Sequence, residues 1–150
     1  MWAYIYRLCG DRSASDDIFQ KTFFQFLRAP LREGSEEQLR GFLFRIATNA
    51  TMDFWRERKK SVGVVSPDES TEFGRQDDRG FSVDMGRVWS ELSSKEKTLL
   101  WLAHVEGTGH RQIAATLNVK EKSVKVLLFR ARKRLAELLS RKGLAPEVRR

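Results

Sequence analysis

Two places in this 150-residue chain gather side chains able to grip a polyanion and touch its bases. The stretch MDFWRERKK sets Phe54 and Trp55 beside Arg56, Arg58, Lys59 and Lys60. Pairing with a helix C-terminal dipole needs only one or two of those cations. The excess suits a surface that tracks phosphates, with aromatic faces on which unstacked bases can lie. Further on, Lys122, Ser123, Lys125, Arg130, Arg132, Lys133 and Arg134 recur on the outer side of a predicted helix. Donors near such a helix start can reach base edges, and those one or more turns later can hold phosphates. Catalysis has no comparable footing. There is no Gly-rich phosphate loop, Cys9 is the single cysteine, and His104 and His110 fall on separate predicted helices with no nucleophile paired to them. No catalytic residue, metal or cofactor is therefore expected.

The elements that must position these residues follow from charge and periodicity. With 28 Lys+Arg against 20 Asp+Glu, the chain carries +8 and a pI near 10.0, which favours a polyanionic partner. The excess is uneven: +3 over residues 1–60, −3 over 61–90 and +8 over 91–150. The middle piece is rich in Gly, Ser and Asp and has no sustained helical period, so it reads as a flexible acidic linker between two modules, 1–60 and 91–150. No apolar run approaches the roughly 18 residues of a membrane span, and no signal peptide opens the chain. A soluble, cytoplasmic protein is the expectation.

The modules read as all-α. Ile18, Phe19, Phe23, Phe26 and Leu27 predict an amphipathic helix over 15–28, capped by Ser15, with Asp17, Gln20, Lys21, Gln25 and Arg28 outward. Leu39, Phe42, Leu43, Ile46, Ala47, Ala50 and Phe54 predict a long helix over 36–60. Ser93 and Glu96 form a capping-box pattern ahead of Leu99, Leu100, Leu102 and Ala103. Next, HRQIAATL makes a short helix with Ile113, Ala114 and Leu117 inward, NVK a tight turn with Asn118 left-handed, and EKSVKVLLFRARKRLAELL a longer helix. Val124, Leu127 or Leu128, Ala131 and Leu135 mark its core side. Short helix, three-residue turn and longer basic helix make a helix-turn-helix.

These residues resemble a family. DDIFQKTFFQFLR is similar to the D-L-V-Q-E-T-F-L-R segment of bacterial sigma factors, and FLFRIATNATMDFWRERKK to their W-L-F-R-I-A-R-N-x-A-I-D-x-x-R-R helix. Residues 92–135 resemble their terminal helix-turn-helix, ending F-R-A-R-K-R-L. The two-module layout is that of the small extracytoplasmic-function (ECF) type. The resemblance implies that Asp17, Gln20, Lys21, Thr22 and Gln25 dock the clamp coiled coil of core RNA polymerase. It also implies that Arg45, Asn49, Trp55, Arg56 and Arg58 open and hold the minus-ten element of promoter DNA. Lys122, Ser123 and Lys125 would then read the minus-thirty-five element while Arg130, Arg132 and Arg134 grip its phosphates. An anti-sigma factor is an implied partner. A sigma-like decoy that only binds such a factor, or a plain helix-turn-helix regulator, is the alternative. The sequence departs from the pattern in several places. Met1-Trp2 fall inside the first family helix, so Trp2, Ile5 and Leu8 are expected to be partly unsupported apolar surface. Phe42 stands for a Trp, Lys120 for a capping Ser, and Val126-Leu127 for Ser-Arg.

Overall fold

Three helix starts are fixed by short polar side chains reaching a backbone N–H three residues on. Asp11 accepts from the Ala14 N–H at 3.0 Å and opens α2, Arg12–Arg28. Ser35 and Gln38 exchange side-chain and backbone bonds at 3.2 and 3.1 Å at the head of α3, Glu36–Val62. Ser93 and Glu96 do the same, at 3.1 and 2.8 Å, for α5, Ser94–Leu100. The expected Ser15 cap is thus displaced: α2 begins earlier, and Ser15 is buried with its hydroxyl donating to the Asp11 carbonyl.

The computed structural model describes residues 1–30, 33–62 and 83–143, and among them every regular element is helical. Ahead of α2 lies α1, Trp2–Cys9, ended by Gly10 in the left-handed region at φ 75°. After α3 come α4, Val83–Ser90, then α5, which runs into one π-helical turn, Trp101–Val105. The short α6, His110–Leu117, ends on Asn118 at φ 54°, and α7 spans Glu121–Arg141. The helix-turn-helix and its left-handed asparagine are where the spacing placed them. Lys120 starts α7 with no side-chain cap.

Most of the stretch expected as linker, 61–90, falls on residues 63–82, outside the described residues. Its two ends do not: residues 61–62 finish α3 and residues 83–90 are α4. Val88, Trp89 and Leu92 are buried. With Met85 they make one helical stripe, which the surrounding Gly, Ser and Asp disguise in the sequence.

The two halves share one core. Tyr4, Ile5 and Leu8 of α1 are at most 1% exposed, so of the apolar surface expected there Ile5 and Leu8 are core and only Trp2 stays half-buried. The Tyr4 ring packs against Phe44 of α3 at 5.1 Å and Trp101 of the C-terminal half at 6.1 Å. The carbonyls left open at the end of α1 accept indole donors from both halves: Trp55 N–H to Leu8 and Trp89 N–H to Arg7, each at 2.9 Å. On α3 the buried line is Phe44, Ala47, Thr48, Ala50 and Thr51: of the predicted stripe Ala47 and Ala50 are buried, whereas Leu39, Phe42, Leu43, Ile46 and Phe54 are half-buried. The reason is that α3 is covered on more than one side, by α2 and by α1 and α6, so no single stripe describes it. Its threonines satisfy their hydroxyls on the carbonyl four residues back.

A candidate nucleic-acid interface and the seam behind it

Helix α7 buries Val124, Leu128, Ala131 and Leu138 and turns its opposite side to solvent. At 100° per residue that outer line is Lys122, Val126, Phe129 and Lys133. Lys122, Lys125, Arg130 and Arg132 are exposed, whereas Ser123 and Arg134 sit half-buried on its flanks. The Arg132 guanidinium donates to His104 Nε2 at 3.1 Å, which ties the π-helical turn to α7. Two apolar side chains were missed as part of this surface: Val126 is 49% and Phe129 64% exposed. The signal was present in the sequence, since neither falls in the core register of α7.

The residues expected to hold melted DNA divide in two. Arg45, Asn49 and Arg56 share one exposed side of α3, with Arg56 bonded to Asp53 at 3.2 Å. Trp55 and Arg58 turn elsewhere. The Trp55 indole N–H is committed to the Leu8 carbonyl, and the Arg58 guanidinium lies 5.7 Å from the Trp55 ring and 5.8 Å from Phe54. Trp55 therefore ties α3 to α1 and does not stand ready to stack on a base.

On α2, Asp17, Gln20, Lys21 and Gln25 are exposed, while Thr22 is fully buried and donates to the Ile18 carbonyl at 2.7 Å. Thr22 is withdrawn from any docking surface because the inward line of α2 runs Ser15, Ile18, Thr22. Leu27, expected inward, is 72% exposed, and Phe24 beside it 60%. Five Phe and Leu residues between 19 and 27 exceed what one packed stripe can hold, so two of them join the polar face.

Behind these surfaces runs the seam between the halves. Arg40 of α3 forms an ion pair with Glu106, whose second oxygen accepts from the Trp101 indole at 3.2 Å. The Gln112 amide on α6 donates to the Glu37 carbonyl at 3.1 Å. A Cβ on Gly41 would lie 3.0 Å from the Gln112 side-chain oxygen, so the glycine leaves room for the Gln112 amide to lie against α3. A cleft of about 370 Å³ opens here, lined by Glu36, Glu37 and Glu106 with Arg40 as its one cation. Its acidic rim does not suit DNA.

Lys97 of α5 is buried at the same seam, 8% exposed, with no carboxylate partner among the described residues. Burial pulls its pKa down from 10.5 to about 8, against the opposing influence of Cys9. Between those values the unfolded chain holds a proton that the folded chain has released, so stability is expected to rise as pH climbs from about 8 toward 10.5. Lys97→Met should stabilise the protein by about 1–3 kcal/mol at neutral pH and flatten that rise. Urea unfolding at several pH values checks both; a destabilised Lys97→Met variant would show that the ammonium is held by a favourable contact.

Comparison with known proteins identifies two regions in the chain. Residues 1–61 match the family Sigma-70 region 2, and residues 84–135 match Sigma-70, region 4. Over 144 residues the chain is 26% identical to the ECF RNA polymerase sigma factor SigE of Mycolicibacterium smegmatis, covering 91% of this chain and 56% of that protein. It is 26% identical to SigM of Bacillus subtilis, covering 94% and 89%, and 27% identical to SigL of Mycobacterium tuberculosis, covering 96% and 85%. The sigma factor RpoE of Bartonella quintana, solved in complex with the anti-sigma factor NepR, shares the fold at a TM-score of 0.72 and 24% identity, covering 93% of this chain and 89% of that one. The two family matches, in this order along one chain, define a two-region sigma-70 protein. The chain belongs to that family as an RNA polymerase sigma factor of the ECF type.

Proposed function

We propose that this sigma factor binds core RNA polymerase through the α2 face of Asp17, Gln20, Lys21, Gln25, Phe24 and Leu27 and directs it to promoters. Arg45, Asn49 and Arg56 hold the melted minus-ten strand, where an amide offers both donor and acceptor to a splayed base. The exposed start of α7 reads the minus-thirty-five duplex. The protein carries out no catalysis of its own and works in the cytoplasm; among the described residues no helix is long and apolar enough to cross a membrane. The observation that carries this reading is the coexistence, in one chain, of the region 2 and region 4 matches with exposed cationic faces on both α3 and α7.

The shared core adds a requirement. Elements centred about 25 base pairs apart are separated by roughly 85 Å of duplex. A globule of 150 residues has a radius of gyration of about 15 Å. The closed arrangement cannot reach both elements, so the halves separate at the seam when the promoter is engaged. The twenty residues 63–82 span up to about 70 Å when fully extended, enough with the modules' own width. An anti-sigma factor that favours the closed arrangement would hold the protein inactive.

In-vitro transcription on fragments of the native genome, with core polymerase and this chain alone, tests the activity. Chain-dependent initiation at defined sites supports it, and none refutes it. Cys9 reports the opening: it is 1% exposed and burial raises its thiol pKa, so it is expected to resist alkylation in the free protein. In the transcribing complex its labelling, followed by mass spectrometry, should accelerate; unchanged protection would sink the separation of the halves.

A further inference from the structure

The outermost line of the α7 recognition helix is apolar in its middle. Val126 and Phe129, 49% and 64% exposed, lie between Lys122 and Lys133, with Lys125 and Arg130 exposed to either side. Val126 falls in the second turn from the helix start at Glu121, within the part of such a helix that meets base edges. Cations on every side of the pair match a duplex, whose phosphates flank a groove floor. On that floor thymine alone presents a methyl group.

We propose that Val126, with Phe129 next to it, is a specificity-determining residue that reads the 5-methyl group of thymine in the minus-thirty-five duplex. The inference rests on the reading of the C-terminal half as a duplex reader and deepens it. An isopropyl group offers no hydrogen bond, so Val126 selects by contact with the thymine methyl and by leaving the amino group of adenine or cytosine dehydrated and unpaired. The lysines supply attraction and orientation, and the apolar pair supplies discrimination at one or two positions.

The test uses the full chain assembled with core polymerase and a duplex pool randomised upstream of the melted segment. Each thymine enriched by selection is then replaced singly by deoxyuridine, which lacks only the methyl group. At one or two positions this should weaken retention about fourfold, the equivalent of one buried methylene. Val126→Ala should cause a similar loss on the thymine duplex and should no longer respond to deoxyuridine at its own position. Phe129→Ala should behave likewise at the neighbouring base. Both side chains are exposed, so the fold should survive, as circular dichroism will report. Deoxyuridine that is neutral everywhere, or a deoxyuridine effect retained in full by both variants, overturns the inference while leaving the duplex reader standing. A pool that enriches no sequence overturns the duplex reader and this inference with it. If the variants lose binding to an anti-sigma protein and keep the deoxyuridine response, the apolar pair is a protein contact and the inference is wrong.

Discussion

Tyr4→Ala is expected to cost about 3–5 kcal/mol of unfolding free energy, the range for emptying a large aromatic site in a core. Tyr4 is 0% exposed and packs on Phe44 from one half and Trp101 from the other. Its hydroxyl lies 2.6 Å from the Thr48 hydroxyl and also bonds Thr98, so the phenol joins α1, α3 and α5. Burial pushes its pKa up to about 12, which keeps it neutral at any ordinary pH. The loss therefore weakens both the N-terminal half and its hold on the C-terminal half. For a chain of this length each kcal/mol moves the midpoint by about 2–4 °C, so a fall on the order of 10 °C is expected by circular dichroism. Tyr4→Phe keeps the ring and should lose only about 1–2 kcal/mol. A Tyr4→Ala variant within about 1 kcal/mol of the parent would mean that the halves are not joined through this ring.

Tying the seam shut should have the larger functional effect. In a Cys9→Ala background, Gly41→Cys and Gln112→Cys place thiols on α3 and α6 where the Gln112 side chain reaches Gly41, and a short reducible bismaleimide can join them. Two DNA contacts made by one molecule gain about 10²–10⁴ in avidity, all of it lost when geometry forbids both at once. Transcription by the crosslinked protein should accordingly fall about 100-fold and return when dithiothreitol cuts the linker. Full activity while crosslinked would show that the closed arrangement already reaches both promoter elements, against the distance argument.

How much of this was legible in the sequence differs between elements. Ser93 with Glu96, Asn118 after a short helix and the stripe Val124, Leu128, Ala131 announced the C-terminal helix-turn-helix, because capping and turn geometry act within four residues. The exposed sides of Arg56 and of Lys122 and Lys125 were equally readable, since a solvated face needs no partner, whereas Arg45 and Asn49 were marked only by the family resemblance. The α2 face was half readable. Asp17 and Gln20 belong to it, but Thr22, which the family resemblance put on the docking face, is buried, and Leu27, inward by its spacing, is exposed. Residue type misleads there because a threonine hydroxyl can be satisfied by its own helix and so be buried cheaply, whereas a helix with surplus phenylalanines must expose some of them.

By itself the sequence determined the all-helical class, the two halves, the order of the matched regions and the cationic faces, all of which follow from local periodicity, caps and charge. Only the tertiary structure decided that α1 lies between the halves, that Trp55 and Trp89 spend their indole donors on its last carbonyls, and that Lys97 is buried beside it. Those contacts join residues 47 to 82 positions apart. What decides them is which apolar surfaces are left unburied after each helix has formed, and that quantity no local pattern carries.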